Sequence, residues 1–191
     1  MDADFSIELG GEDPVLDFPW SDPDGKLRYL DVKRQPGLLS EVEEAKLFPE
    51  LAEFLRAVNS AISMVESAKC DAWGTAELAP EEEIFGASRK SVSYVDLVFS
   101  RTDQRESLPF HERFVKRLVE LLRRTPETPS AAEVNVRRCC FRENDAAREG
   151  FYFTVYVTGY GQDEAQARQN WAIGLKLTGN AVLQVSAAGT G

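Results

Sequence analysis

Ten consecutive residues, Phe151-Tyr152-Phe153-Thr154-Val155-Tyr156-Val157-Thr158-Gly159-Tyr160, alternate in character from one position to the next. Successive side chains of a strand point to opposite faces. Phe151, Phe153, Val155 and Val157 therefore make one apolar face, and Tyr152, Thr154, Tyr156, Thr158 and Tyr160 make the other. A period of two does not suit a helix, and the apolar face has to be covered. The segment commits the chain to a sheet with a core on one side and a platform of hydroxyl-bearing rings on the other.

The rest of the chain predicts partners for this strand. Glu133 to Arg142 reads as a strand joined to it through Glu143 to Gly150, and Met64 to Leu78 with Ser91 to Ser100 reads as a second pair across the acidic loop Ala79 to Lys90. Val15 to Trp20 and Leu27 to Lys33 flank Ser21-Asp22-Pro23-Asp24-Gly25, where proline fixes φ and glycine permits a positive one, which predicts a hairpin.

Between the pairs lie helical periods. Leu51, Phe54, Leu55, Val58 and Ile62 recur at helical spacing behind an S-x-x-E capping pattern, Ser40 with Glu43, and Pro49 divides that stretch in two. Phe110, Phe114, Leu118, Leu121 and Leu122 line one face of Leu108 to Arg124, with Arg113, Lys116, Arg117, Glu120 and Arg124 on the remainder, until Thr125-Pro126-Glu127-Thr128-Pro129 stops the helix. Asp163, with Gln166 in the capping-box position, opens a last helix running to about Val185.

Strand pairs that precede helices predict an α+β domain: a mainly antiparallel sheet built from three hairpin-helix (ββα) units, with helices packed largely on one face. A ferredoxin-like duplication and a helix-grip fold are its two concrete forms. A single domain over residues 14–187 is expected, after an acidic N-terminal arm, 1–13, and before a flexible tail, 188–191. Phe5, Ile7 and Leu9 alternate within the arm and leave room there for a short edge strand.

The 191 residues include 22 Lys and Arg against 32 Asp and Glu, a net charge of −10. The charge is segregated, with 20 acids and 7 bases up to Gly86 and 12 acids and 15 bases beyond it. The acidic half repels phosphate backbones, which disfavours nucleic acid as a partner. Three cysteines, Cys70, Cys139 and Cys140, give no disulfide framework and predict a reducing, cytoplasmic setting. The start of the chain shows no basic and apolar leader pattern, and its most apolar stretch, Trp171 to Val185, is interrupted by Lys176, Asn180 and Gln184, so no membrane association is expected.

Candidate chemistry is sparse. His111 is the only histidine, and no HExxH pattern or nucleophile elbow accompanies it. Cys139 and Cys140 are adjacent on a strand and point to opposite faces, which does not serve one metal; the arginines nearby could activate an exposed thiol. Gly159 and Gly161 form G-x-G without the third glycine of a dinucleotide loop. No metal or cofactor is expected.

The leading expectation is a non-enzymatic binding or interaction protein. Tyr152, Tyr156, Tyr160 and Arg138 would contact a protein partner or an apolar small ligand, and Trp171, Leu175 and Val182 on the apolar last helix would form the seam of a homodimer. The alternative is a small-molecule enzyme with a pocket between sheet and helices, in which His111 or Cys140 is the working group.

Overall fold

The alternating segment lies in β6 (Ala146–Gly161), a central strand of a mixed six-stranded sheet. The computed structural model describes residues 1–78, 86–143 and 146–189. The acidic run Glu81-Glu82-Glu83, residues 144–145 just before β6 and the last two residues lie outside the described residues.

The other strands are β1 (Asp2–Ile7), β2 (Leu16–Phe18), β3 (Val65–Thr75), β4 (Arg89–Phe99) and β5 (Ser130–Glu143). The sheet runs β1-β5-β6-β4-β3, with β2 beside β5 as well. β3 with β4, β4 with β6 and β5 with β6 are antiparallel, whereas β1 and β2 both run parallel to β5. The class is α+β, but the sheet is mixed, and three successive ββα units do not describe it.

The difference originates at β5. Its 14 residues offer an outer edge that β1 covers only along Ala131 to Val136, and β2 takes up Cys139 to Phe141 further on. Pairing there satisfies backbone groups that would otherwise be left at an edge. The hairpin predicted around Ser21 to Gly25 reduces to one bridge between Ser21 and Arg28, although Gly25 does take a positive φ of 67°. Nor is the N-terminal segment a loose arm. Asp2–Ile7 is a strand, Met1 is buried, and the terminal ammonium donates to the Pro126 carbonyl at 2.9 Å.

The helices are α1 (Glu43–Leu47), α2 (Pro49–Val58), α3 (Thr102–Arg105), α4 (Leu108–Arg123) and α5 (Glu164–Ala188), and a 3-10 helix spans Pro36–Glu41. Pro49 stands in the first turn of α2 as its sequence context predicts, but Ser40 and Glu43 form no capping box: Ser40 lies inside the 3-10 helix and its hydroxyl donates to the Gly37 carbonyl. At α5 the cap forms, with the return bond displaced by one residue. Asp163 accepts from Gln166 N at 2.8 Å, and the Gln166 side chain accepts from Gln162 N at 2.7 Å.

One face of the sheet is the core. Val95, Leu97, Phe99, Val134, Val136, Phe153, Val155 and Val157 are buried there beneath α2, α4 and α5. The α5 helix lies directly on the backbone of β6, because a Cβ on Gly159 would fall 2.0 Å from the Trp171 nitrogen. On the reverse face a second, smaller core forms at one end only. Leu16, Phe18, Ala68, Val98, Cys139, Phe141 and Tyr152 pack there with Trp20 and Tyr29 against them. Arg105 closes this cluster between the rings of Phe18 and Phe141, at 5.4 and 4.9 Å, and pairs with Glu66 at 2.7 Å. Among the described residues the other end of that face carries no helix.

Candidate functional site: the open end of the sheet

Register decides which side chains meet on the uncovered face. Lys69, Asp96, Thr154 and Asn135 form one row across β3, β4, β6 and β5; Asp71, Tyr94, Tyr156 and Glu133 form the next; Trp73, Val92, Thr158 and Ala131 the third. Cross-strand neighbours on one face lie close enough to touch. The Trp73 and Tyr94 ring centres are 6.5 Å apart, and those of Tyr94 and Tyr156 are 6.1 Å apart. Asp71, Glu133 and, on β1, Asp4 stand exposed around these rings.

A chain of hydrogen bonds fixes the floor. Arg137 donates to Glu8 at 2.7 Å, to the Thr154 hydroxyl at 3.2 Å and to the Tyr156 hydroxyl at 3.4 Å. The Thr154 hydroxyl in turn donates to Asp96 at 2.7 Å. Asn135 donates to both Glu8 and Glu133, at 3.0 Å each. Burial raises the Asp96 carboxyl to about 6, against the lowering effect of Thr154, Lys69 and Arg137. Burial also works against the charges of Arg137 and Glu8, but it is outweighed for Arg137 by the Tyr156 hydroxyl and Glu8, and for Glu8 by Arg137 and the Ser6 hydroxyl, so both remain ionised.

The residues singled out from the sequence separate. Tyr156 is half-exposed on this face. Tyr152 is 3% exposed, inside the second core, and Tyr160 is 6% exposed, so neither lines an open platform. Arg138 faces away from the tyrosines and donates to the Leu9 carbonyl, and it is Arg137 that reaches Tyr156. Trp171, Leu175 and Val182 are buried in this chain's own core and are not free to form a seam between copies. The outward side of α5 there is Ala172, Ile173 and Lys176.

The candidate working groups are no better placed for chemistry. His111 is fully buried among Phe99, Phe151 and Phe153, with its ring nitrogens 3.0 and 3.1 Å from the carbonyls of Ser107 and Phe151. Burial pushes it down to about 4. Cys139 is buried and its thiol is pushed up by that burial, while Cys140 is half-exposed.

Sequence reasoning missed Trp73, Tyr94, Asp96 and Glu8 as members of the site. Tyr94 and Asp96 do alternate with the core residues Val95 and Leu97, which is the signal that could have found them. Only the pairing of β4 with β6 puts them beside Tyr156. Among the described residues no group of three or more His, Cys, Asp or Glu side chains could hold a metal ion, and no helix is long and apolar enough to cross a membrane. The arrangement can bind: Arg137 already lies 6.0 Å from the Tyr156 ring centre, and the ring surface that remains, with the acidic rim, attracts cationic groups while the floor holds the rings in place. No protein family, curated protein or solved structure matches the chain.

Proposed function

We propose that this chain is a non-enzymatic binding protein that engages a protein partner bearing basic side chains through the open end of its sheet. The observation that carries this reading is the pair of half-exposed rings, Tyr94 and Tyr156, set 6.1 Å apart among Asp71 and Glu133 on a sheet whose other face is covered. Tyrosine contributes large contact area with little loss of freedom, and a guanidinium or ammonium over its ring is attracted by about 0.5–2 kcal/mol. The net charge of −10 adds long-range attraction for such a partner.

The supporting scaffold reads as one ferredoxin-like unit entered a strand early, not as a duplication. β4, α4 and β5 form a split β-α-β connection over β6, and β3 occupies the edge that the final strand of such a unit would fill. The end of α5 lies where that strand begins, since Ser186 accepts from Met64 N at 3.1 Å.

The test is titration with an oligo-arginine peptide, followed through tryptophan fluorescence. Uptake that weakens with salt and is lost in the Tyr94→Ala/Tyr156→Ala protein supports the reading. Equal uptake by the double variant, with its near-UV circular dichroism unchanged, overturns it.

A further inference from the structure

β3 is the last strand of the sheet, and its two halves are treated differently. Along the first half the outward backbone groups are occupied by side chains. Lys33 donates to the Val65 carbonyl at 2.8 Å, Asn59 accepts from Ser67 N at 3.0 Å, and the Trp20 indole donates to the Ala68 carbonyl at 2.6 Å. These contacts end at a bulge between Ser67 and Lys69.

Beyond the bulge the direction of each backbone group follows from the ladder. Tyr160 N donates to the Pro129 carbonyl, so even-numbered groups of β6 face β5 and odd-numbered ones face β4. Through the β4 register this turns Lys69, Asp71 and Trp73 toward β4, and Cys70, Ala72 and Gly74 outward. Of these outward groups, Ala72 N is met by the Asp71 carboxylate at 2.7 Å, and no strand pairs with this edge among the described residues. Soluble proteins ordinarily cover or blunt such an edge.

A groove of about 390 Å³ meets its start, lined from β3 by Ser67 to Asp71 and lying between the segment around Leu27 to Val32 and α1. Leu27, Leu30, Val42 and Cys70 give it apolar lining, and Leu27 is 59% exposed. Its charged lining is Glu41, Glu43, Glu44 and Asp71 against Arg28 and Lys69, with Glu43 also paired to Lys46. An extended segment laid along Cys70 to Gly74 would place a side chain in this groove at its Cys70 end and side chains of its other face toward Trp73.

We infer that the outer edge of β3 from Cys70 to Gly74 is a strand-addition site for an extended segment of a partner protein that carries basic and apolar side chains in alternation. The backbone edge supplies affinity, and the surplus of carboxylates over cations in the groove selects the charge. The site adjoins the open face and shares Asp71 and Tyr94 with it, while its backbone edge is separate from the Tyr156 ring.

Short synthetic peptides of alternating valine and lysine, and of alternating valine and glutamate, test this without altering the protein. The lysine peptide should bind by fluorescence anisotropy, should slow hydrogen exchange at Cys70 and Gly74, and should lose about tenfold in affinity or more when its edge-facing amides are N-methylated. The glutamate peptide should bind at least tenfold more weakly. Failure of the lysine peptide to bind, indifference to N-methylation, or protection at Tyr156 without protection at Cys70 and Gly74 overturns the inference. Retention of the N-methyl effect in Tyr156→Ala separates this edge from the open face. A dimer of the free protein in sedimentation with Cys70 and Gly74 already protected would instead assign the edge to a second copy.

Discussion

Asp96 and His111 sit on opposite faces of the sheet, and burial moves each toward its neutral form. For His111, lowered from 6.5 to about 4, the unfolded chain holds more protons between those values, so this group makes stability fall as pH falls through that window. For Asp96, raised from 3.8 to about 6, the folded chain holds more protons, so this group makes stability fall as pH rises through its window. Each is worth at most about 3 kcal/mol across its window, and the two oppose one another between about pH 4 and 6. Replacing Asp96→Asn removes one of the two. The variant should gain stability over the parent as pH rises from 4 to 6, by up to about 3 kcal/mol in urea unfolding. A difference between the two proteins that does not vary with pH would show that Asp96 ionises freely. At this scale little of the site was legible in the sequence. His111 reads as a titrating side chain until the three phenylalanines around it are known, and two of those come from a strand that follows it in the chain.

Elements were more legible than their partners. The period of Phe151 to Tyr160 and the apolar stripe of Leu108 to Arg124 are local properties and appear as β6 and α4. That β1 and β2 run parallel to β5 is not local: it depends on the length of β5 and on the edge β1 leaves uncovered, more than 100 residues away in the chain. The exposure of the tyrosine face likewise turned on the segment from Leu16 to Tyr29, which buries Tyr152 and leaves Tyr156 open. Gly159 and Gly161, the G-x-G of the sequence, together let α5 rest on the strand, the added Cβ of Gly161 meeting Ala167 N at 2.3 Å. Gly159→Ala should therefore cost about 3 kcal/mol or more, since the clash is with helix backbone that cannot rotate away. Gly74→Ala, whose nearest neighbour is the Lys90 carbonyl at 3.9 Å, should change stability by less than about 1 kcal/mol. Chemical unfolding of the two variants side by side checks the contrast, and similar losses would contradict this seating of α5.

Across the whole molecule, charges of both signs share each layer. Asp71 and Glu133 stand with Lys69 on the open face of the sheet, Asp4 pairs with Arg123 of α4 at 3.2 Å, and Arg113, Lys116, Arg117 and Arg124 line a groove on α4 together with Glu120. The imbalance between the halves of the chain is only partly kept in space. An excess of ten negative charges repels itself, so the unfolding midpoint should rise between about 10 and 150 mM sodium chloride as the screening length shortens. A midpoint that falls with salt would mean that attractive pairs outweigh the repulsion.

The place of β6 between β4 and β5 also sets the order in which such a chain can assemble during synthesis. β1 and β2 leave the ribosome first and have no partner until β5 appears. β3 and β4 can pair on their own, yet nothing joins them to the other strands until β6, the last strand made, enters the gap and bonds to both sides. Until then a nascent chain carries two half-sheets with unpaired edges, and contacts of long sequence separation form slowly. The segment whose alternation is easiest to read is thus the one on which completion of the sheet waits.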